Sequence, residues 1–156
     1  MLATALVAVA LLSGCSGAGG ADSVTLDEGR QRLRQMIDAT AEATLADRER
    51  VPRPEVPPQR CERLGAPADS FTVGYGVEAD LERGAELRAI VERVAVFWRE
   101  AGYDGVQTEN LDTDVPIAYA TPEGYELSFT ASGPRGKAFL EGGTPCLPRA
   151  EDSDER

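Results

Sequence analysis

Apolar positions along this chain fall into three patterns. The first is the run Leu2 to Leu12, broken only by Thr4. The second recurs at helical spacing. Leu26, Leu33, Ile37, Thr40, Ala41 and Thr44 predict a helix from about Leu26 to about Arg48, opened by the capping box Thr25-Leu26-Asp27-Glu28. Its apolar face is thin in large residues and needs another element to pack on. Leu81, Ala85, Leu87, Ile90, Val91, Val94, Phe97, Trp98 and Ala101 give a stronger stripe, with Asp80 as its expected N-cap and Gly102 as its stop. The third pattern alternates. Phe71, Val73, Tyr75 and Val77 share one side of an extended segment. Further strands are expected at Val106–Leu111, Ile117–Thr121, Tyr125–Ala131 and Lys137–Glu141, with turns at Pro122-Glu123-Gly124 and from Ser132 to Gly136.

The resulting order is α-β-α-β-β-β, an α+β fold. Two helices pack on one largely antiparallel sheet of four to five strands as a two-layer sandwich. The face of Phe71, Val73, Tyr75 and Val77 is expected to bury Leu87, Ile90, Val91, Val94 and Trp98. The stretch Val51 to Pro58 holds four prolines and reads as a stiff polyproline-type spacer.

Composition narrows the function. Among 156 residues the net charge is -11, which argues against nucleic acid as a partner and against a body that hugs anionic lipid. There is no histidine, so histidine-based nucleophilic catalysis and the usual zinc sites are absent. No cofactor and no metal are implied. Of three cysteines, Cys61 and Cys146 remain for each other once Cys15 is assigned elsewhere, and two cysteines in an exported domain are expected to pair. They do not form Cys-x-x-Cys, which weighs against a redox pair.

That other role comes from Leu12-Ser13-Gly14-Cys15. An apolar run too short to span a bilayer, then small residues, then cysteine, resembles the lipobox signals of bacterial lipoproteins. The resemblance implies that Cys15 is lipidated and becomes the N-terminus, with two acyl chains enough for a stable anchor. Met1 to Thr4 carries no charge where such signals have Lys or Arg, so an upstream start is expected. The chain then divides into a signal (1–14), a lipidated tether (15–24), an α+β domain (25–148) and an acidic tail (149–156). With the segment Trp98 to Tyr103 and the terminal Gly143-Thr144-Pro145-Cys146, it resembles the small uncharacterised lipoproteins of actinobacterial cell envelopes. That group implies a tethered α+β domain and no reaction.

Other motifs carry less. Thr72-Val73-Gly74-Tyr75-Gly76 spells a potassium-channel filter, but a filter needs pore helices and fourfold assembly. Gly74-Tyr75-Gly76-Val77-Glu78-Ala79 resembles a dinucleotide fingerprint, yet only one β-α-β unit follows it, and strand glycines that admit close backbone approach explain it better. Glu109, Asn110, Asp112 and Asp114 offer oxygen ligands, but they lack the spacing of a calcium loop and read as an acidic turn. Trp98, Tyr103 and Tyr119 are the amphipathic aromatics able to line a groove for a sugar or peptide, although Trp98 also lies on its helix's apolar stripe. The expected function is therefore a lipid-anchored, non-enzymatic binding or accessory module of the envelope, with an envelope protein, peptide or wall component as partner. Two alternatives stand beside it: a carboxylate-based hydrolase of wall glycan, and a scaffold subunit.

Overall fold

The computed structural model describes residues 24–62 and 65–150. Its elements are α1 (Leu26–Leu45), β1 (Arg50–Pro52), β2 (Val56–Arg60), β3 (Ser70–Asp80), α2 (Leu87–Glu100), β4 (Gln107–Glu109), β5 (Ile117–Ala120), β6 (Glu126–Ser132), β7 (Lys137–Gly143) and β8 (Leu147–Pro148). The strands form one antiparallel sheet in the order β1-β3-β7-β6-β5-β4, with β2 and β8 also on β3. The fold class is α+β, as the patterns imply, but the sheet is wider than four to five strands. Its eight segments lie in six lines. On one edge of β3, β1 pairs with residues 77–79 and β2 with residues 71–74. On the other edge, β7 pairs with 74–80 and β8 with 70–71.

The extra strands lie where prolines hid them. Pro52, Pro57 and Pro58 sit in β1 and β2, at the outer edge of the sheet. Polyproline geometry is close to extended, and an edge tolerates a residue with no N–H to give. The spacer is thus extended, as expected, but it is paired rather than free. The hairpin turns stand where expected. The β5–β6 connection is the 3₁₀ turn Pro122–Gly124, and the β6–β7 hairpin closes on the pair Ser132↔Lys137.

Asp80 is not the N-cap of α2. It is the last residue of β3, in register with Lys137, whose Nζ lies 3.1 Å from its carboxylate. Gly84 turns the chain at φ +80° before α2 begins at Leu87. The helix stops as the sequence implies. Gly102 takes φ +77°, its N–H reaches the Arg99 carbonyl at 3.0 Å, and the Tyr103 N–H reaches the Trp98 carbonyl at 2.9 Å. That pair of bonds is the Schellman motif. At the other helix, the Thr25 N–H donates to the Glu28 carboxylate at 2.8 Å and Thr25 Oγ1 accepts from the Glu28 N–H at 3.4 Å, completing the capping box.

Both helices cover the same side of the sheet. The packing partners differ from expectation: α1 lies over β3 and β7, while α2 lies over β5 and β6. The reason is topological. Helix α2 leaves β3 and must deliver the chain to β4 at the far edge, so it crosses the other half of the sheet. Val73 and Val77 are buried, but mainly beneath α1. Phe71 is only half-buried and is flanked by the Arg149 and Arg60 guanidiniums, 4.1 and 6.0 Å from its ring centre.

The two helices meet at one polar contact. Trp98, fully buried on the α2 stripe, donates its indole N–H to Thr40 Oγ1 on α1 at 2.9 Å. The Thr40 hydroxyl itself donates to the Met36 carbonyl at 2.8 Å, so both of its roles are used. Cys61 and Cys146 form a disulfide with Cα atoms 6.0 Å apart. Cys61 follows β2 and Cys146 precedes β8, so the bridge ties together the two strands that flank the start of β3.

Thr40→Val is expected to destabilise the domain by about 1–3 kcal/mol, because it keeps the shape and leaves a buried indole N–H without an acceptor. Urea unfolding measures this, and an unchanged midpoint contradicts it. The disulfide closes a loop of sequence separation 85, so chain entropy assigns it roughly 4–5 kcal/mol. Under reductant the melting temperature is expected to fall substantially. Two alkylatable thiols in folded, unreduced protein contradict the bridge.

Candidate functional site

With both helices on one side, the other side of the sheet has no covering layer among the described residues. Its composition follows from register, since alternate residues share a face. One row across β3, β7 and β6 is Gly74, Gly143 and Glu126. The next is Gly76, Glu141 and Ser128, continued by Tyr119 on β5. The third is Glu78, Phe139, Thr130 and Ile117. The first two rows form a groove of about 620 Å³. Gly74, Gly76 and Gly143 make its floor, Tyr119 and Ser128 stand on one side, and Arg53, Pro54 and Val56 form the other.

Glycine shapes this floor for two reasons. At Gly76 a Cβ would lie 2.9 Å from both Glu141 Cβ and the Leu140 carbonyl oxygen, so β3 and β7 would have to shift apart there. Gly143 is different. A Cβ there meets nothing nearer than the Val73 carbonyl oxygen at 3.8 Å, so this residue leaves space rather than relieving a clash. Beyond it the chain is held by Thr144. Its N–H donates to the Val73 carbonyl at 3.0 Å, and its hydroxyl accepts the Val73 N–H at 3.1 Å. That side-chain bond replaces a ladder bond where β7 gives way to β8.

The charged residues lining the groove are one arginine, Arg53, and two glutamates, Glu126 and Glu141. Arg53 is paired with Glu141 across Gly76, which lies between them in the sheet. Arg53 also lies 5.5 Å from the Phe139 ring centre, and Arg135 lies 5.6 Å from the same ring. This second hollow, lined by Thr130, Ser132, Arg135 and Phe139, adjoins the groove through Arg53 and Glu141. At its far end Lys137 bonds Glu78 at 2.8 Å, and this hydrogen bond, with that to Asp80, holds the ammonium's pKa above its ordinary value.

The sequence-level candidates are dispersed. Tyr119 lines the groove. Trp98 is core and unavailable to a ligand. Tyr103 lies at the C-terminal end of α2 on a separate hollow with Arg32, Gln35 and Glu123, and burial raises its hydroxyl pKa. The three aromatics therefore do not form one groove. Cys15 lies outside the described residues. Asn110 to Val115 is a turn, with Asn110 at φ +55° and its carbonyl accepting from Thr113, while Asp112 pairs with Arg88 at 2.9 Å. No cluster that could hold a metal ion occurs among the described residues. Gly74 to Ala79 lies wholly within β3, so it makes neither a phosphate-binding turn nor a filter. Arg53, Pro54, Val56, Ser128, Glu141 and Gly143 escaped sequence reading. The signal available was the polar half of each alternating strand.

No family model and no curated protein matches the chain. Two solved structures share its fold. A DUF4853 family protein from Actinomyces odontolyticus matches with TM-score 0.59 at 16% identity, covering 85% of this chain and 74% of that one. The "putative lipoprotein LppA" from Mycobacterium tuberculosis matches with TM-score 0.54 at 16% identity, covering 85% of this chain and 83% of that one. The chain is thus similar in fold to actinobacterial proteins, one of them described as a lipoprotein. No helix among the described residues is long and apolar enough to cross a membrane.

Two of the three floor glycines, Gly76 and Gly143, are expected to respond unequally to a single methyl. Gly76→Ala forces a backbone-level overlap and is expected to cost about 1–3 kcal/mol. Gly143→Ala is expected to stay within about 0.5 kcal/mol of wild type. Thermal unfolding of both variants checks this, and equal effects would contradict the groove geometry.

Proposed function

We propose that this chain is a lipid-anchored extracytoplasmic lipoprotein whose α+β domain is a non-enzymatic binding or accessory module of the cell envelope. Cys15 is the anchor and the uncovered sheet face is the working surface. The observation that carries the reading is the groove on that face. An antiparallel sheet can leave one side to water, and that side is then polar throughout. Here it is instead hollowed by glycines and walled by Tyr119, Pro54 and Val56. A concave, mostly apolar surface with a few polar groups is what ligand sites look like. The fold shared with LppA supports the envelope assignment.

The hydrolase alternative has one observation behind it. Glu126 and Glu141 share the groove on diagonal positions of β6 and β7, which places their backbones about 7–8 Å apart. Two carboxylates on one face are what such chemistry starts from. Their surroundings do not suit it. Both are exposed, and Glu141 is engaged by Arg53. A general acid is kept protonated by burial in an apolar pocket, which neither residue has. For a scaffold subunit a contiguous apolar patch is expected. Among the described residues the exposed large hydrophobics are instead the valines Val24, Val51, Val56 and Val96, which come from different segments.

Cys15→Ser is expected to shift the protein from the membrane fraction to the soluble extracytoplasmic fraction, or to leave an uncleaved precursor. Fractionation and intact mass measure this. A Cys15→Ser protein that is processed and retained like wild type contradicts the anchor.

A further inference from the structure

We infer that the second hollow on the uncovered face, beside the β6–β7 hairpin, binds a monocarboxylate with an apolar body. The inference rests on the reading of that face as the working surface, and it adds a site and a ligand class. Ser132 is the first argument. It ends β6, is only 5% exposed and lines the hollow. No group among the described residues bonds its hydroxyl, and none of their side-chain oxygens sealed from solvent lacks a partner, so this hydroxyl opens into the hollow. Polar groups at such depth are normally hydrogen-bonded. Thr130 lies two residues earlier on the same side of β6 and also lines the hollow, and its hydroxyl too is unbonded among the described residues. The hollow therefore presents two uncommitted hydroxyl donors side by side.

Charge selects what those donors meet. The lining carries Arg53, Arg135 and Glu141, a net positive set in a chain of net charge -11. Glu141 is held by Arg53. Glu78 and Asp80 are held by Lys137, and Asp114, the residue before Val115, is not part of the lining. Arg135 meets no carboxylate among the described residues. It rests instead against the Phe139 ring, whose centre lies 5.6 Å away, and that contact keeps the guanidinium at the hollow. A guanidinium with hydroxyls beside it is a donor set for one carboxylate, which only accepts when ionised and bonds charged donors most strongly. A cation would face Arg135 unopposed. A phosphate dianion would need a second uncommitted cation and would lie against Glu141.

The remaining lining, Val115, Pro134 and Phe139, is apolar. A ligand that reaches Arg135 and Ser132 with its carboxylate thus brings an apolar body against these three. The volume of about 430 Å³ lies within the range of pockets that hold small ligands. The same chemistry has two sources. One is a free aryl or alkyl acid, and the other is the C-terminal carboxylate of a peptide whose last side chain is apolar.

The test is amide NMR titration of the full-length protein in non-ionic detergent. The probes are hydrocinnamate, the peptide acetyl-Ala-Ala-Phe, the primary amide of each, and inorganic phosphate. At least one of the two acids is expected to bind saturably, to shift the amide signals of Ser132 and Arg135, and to bind about tenfold more tightly than its own amide. Arg135→Gln is expected to weaken that acid about tenfold and Ser132→Ala about threefold, both at an unchanged melting temperature. Arg135 is exposed in the hairpin turn, so its variant decides should Ser132→Ala unfold the protein. Tighter binding of the peptide names a chain end as the ligand, tighter binding of hydrocinnamate names a free acid, and both support the inference. Absence of saturable binding by both acids overturns it. So do amides that bind as well as their acids, phosphate that binds more tightly than either acid, and acid binding that Arg135→Gln leaves unchanged. Acid binding that shifts Gly74, Gly76 and Gly143 in place of the hairpin overturns the hollow alone and leaves the binding-module reading standing. Chemical conversion of either acid by wild-type protein overturns the non-enzymatic reading itself.

Discussion

Strand β3 is the constraint on which the rest of the structure depends. Its eleven residues carry a backbone donor and acceptor at every position, and those within a folded body need partners on both edges. One edge is satisfied by β7 and β8, the other by β1 and β2. Neither side is served by one continuous strand. On one side the line breaks at Arg53 and Pro54, where the Arg53 N–H still reaches the Gly76 carbonyl at 2.9 Å. On the other it breaks at Thr144, where a hydroxyl takes over from the backbone. The disulfide then closes both lines around the start of β3.

From this arrangement the two faces of the sheet acquire different tasks. One face carries Val73, Val77, Leu127, Phe129 and Leu140 beneath the helices, where the hydrophobic effect does most of the stabilising. The helices are set against each other by the Trp98–Thr40 bond, which satisfies a buried indole that would otherwise be a liability. The opposite face is relieved of core packing. Its residues are free to be glycine, serine, glutamate and tyrosine, and the break in the edge strand puts Arg53 and Pro54 beside the same groove. The feature that interrupts pairing at the edge thus also walls the candidate site.

The same logic explains how a fold persists at 16% identity. What it demands is a long strand paired on both sides, two apolar helical stripes and a crossover of α2 to the far edge. Many side chains meet those demands. The groove asks for something narrower, namely glycine where strands must touch and space where a side chain would otherwise stand.

The chain's own pattern determined both helix stripes, the capping box at Thr25, the stop at Gly102, the two hairpin turns and the pairing of its two domain cysteines. These depend on residues close in sequence, on backbone conformations only glycine adopts cheaply, or on counting. The alternation at 70–77 also marked the main strand. Tertiary structure alone decided the rest. Prolines at 52, 57 and 58 become strand only because β3 offers them an edge, and no local propensity records that offer. Asp80 lies in a strand rather than at a helix start because Lys137, 57 positions away, pairs with it. Trp98, Tyr103 and Tyr119 look alike in sequence. One is core, one stands at a helix end and one lines the groove, because burial depends on which layer covers a residue. The groove itself was illegible for the same reason. It is made of positions that the core leaves over, from five strands and one connection, and only the register of the sheet brings them side by side.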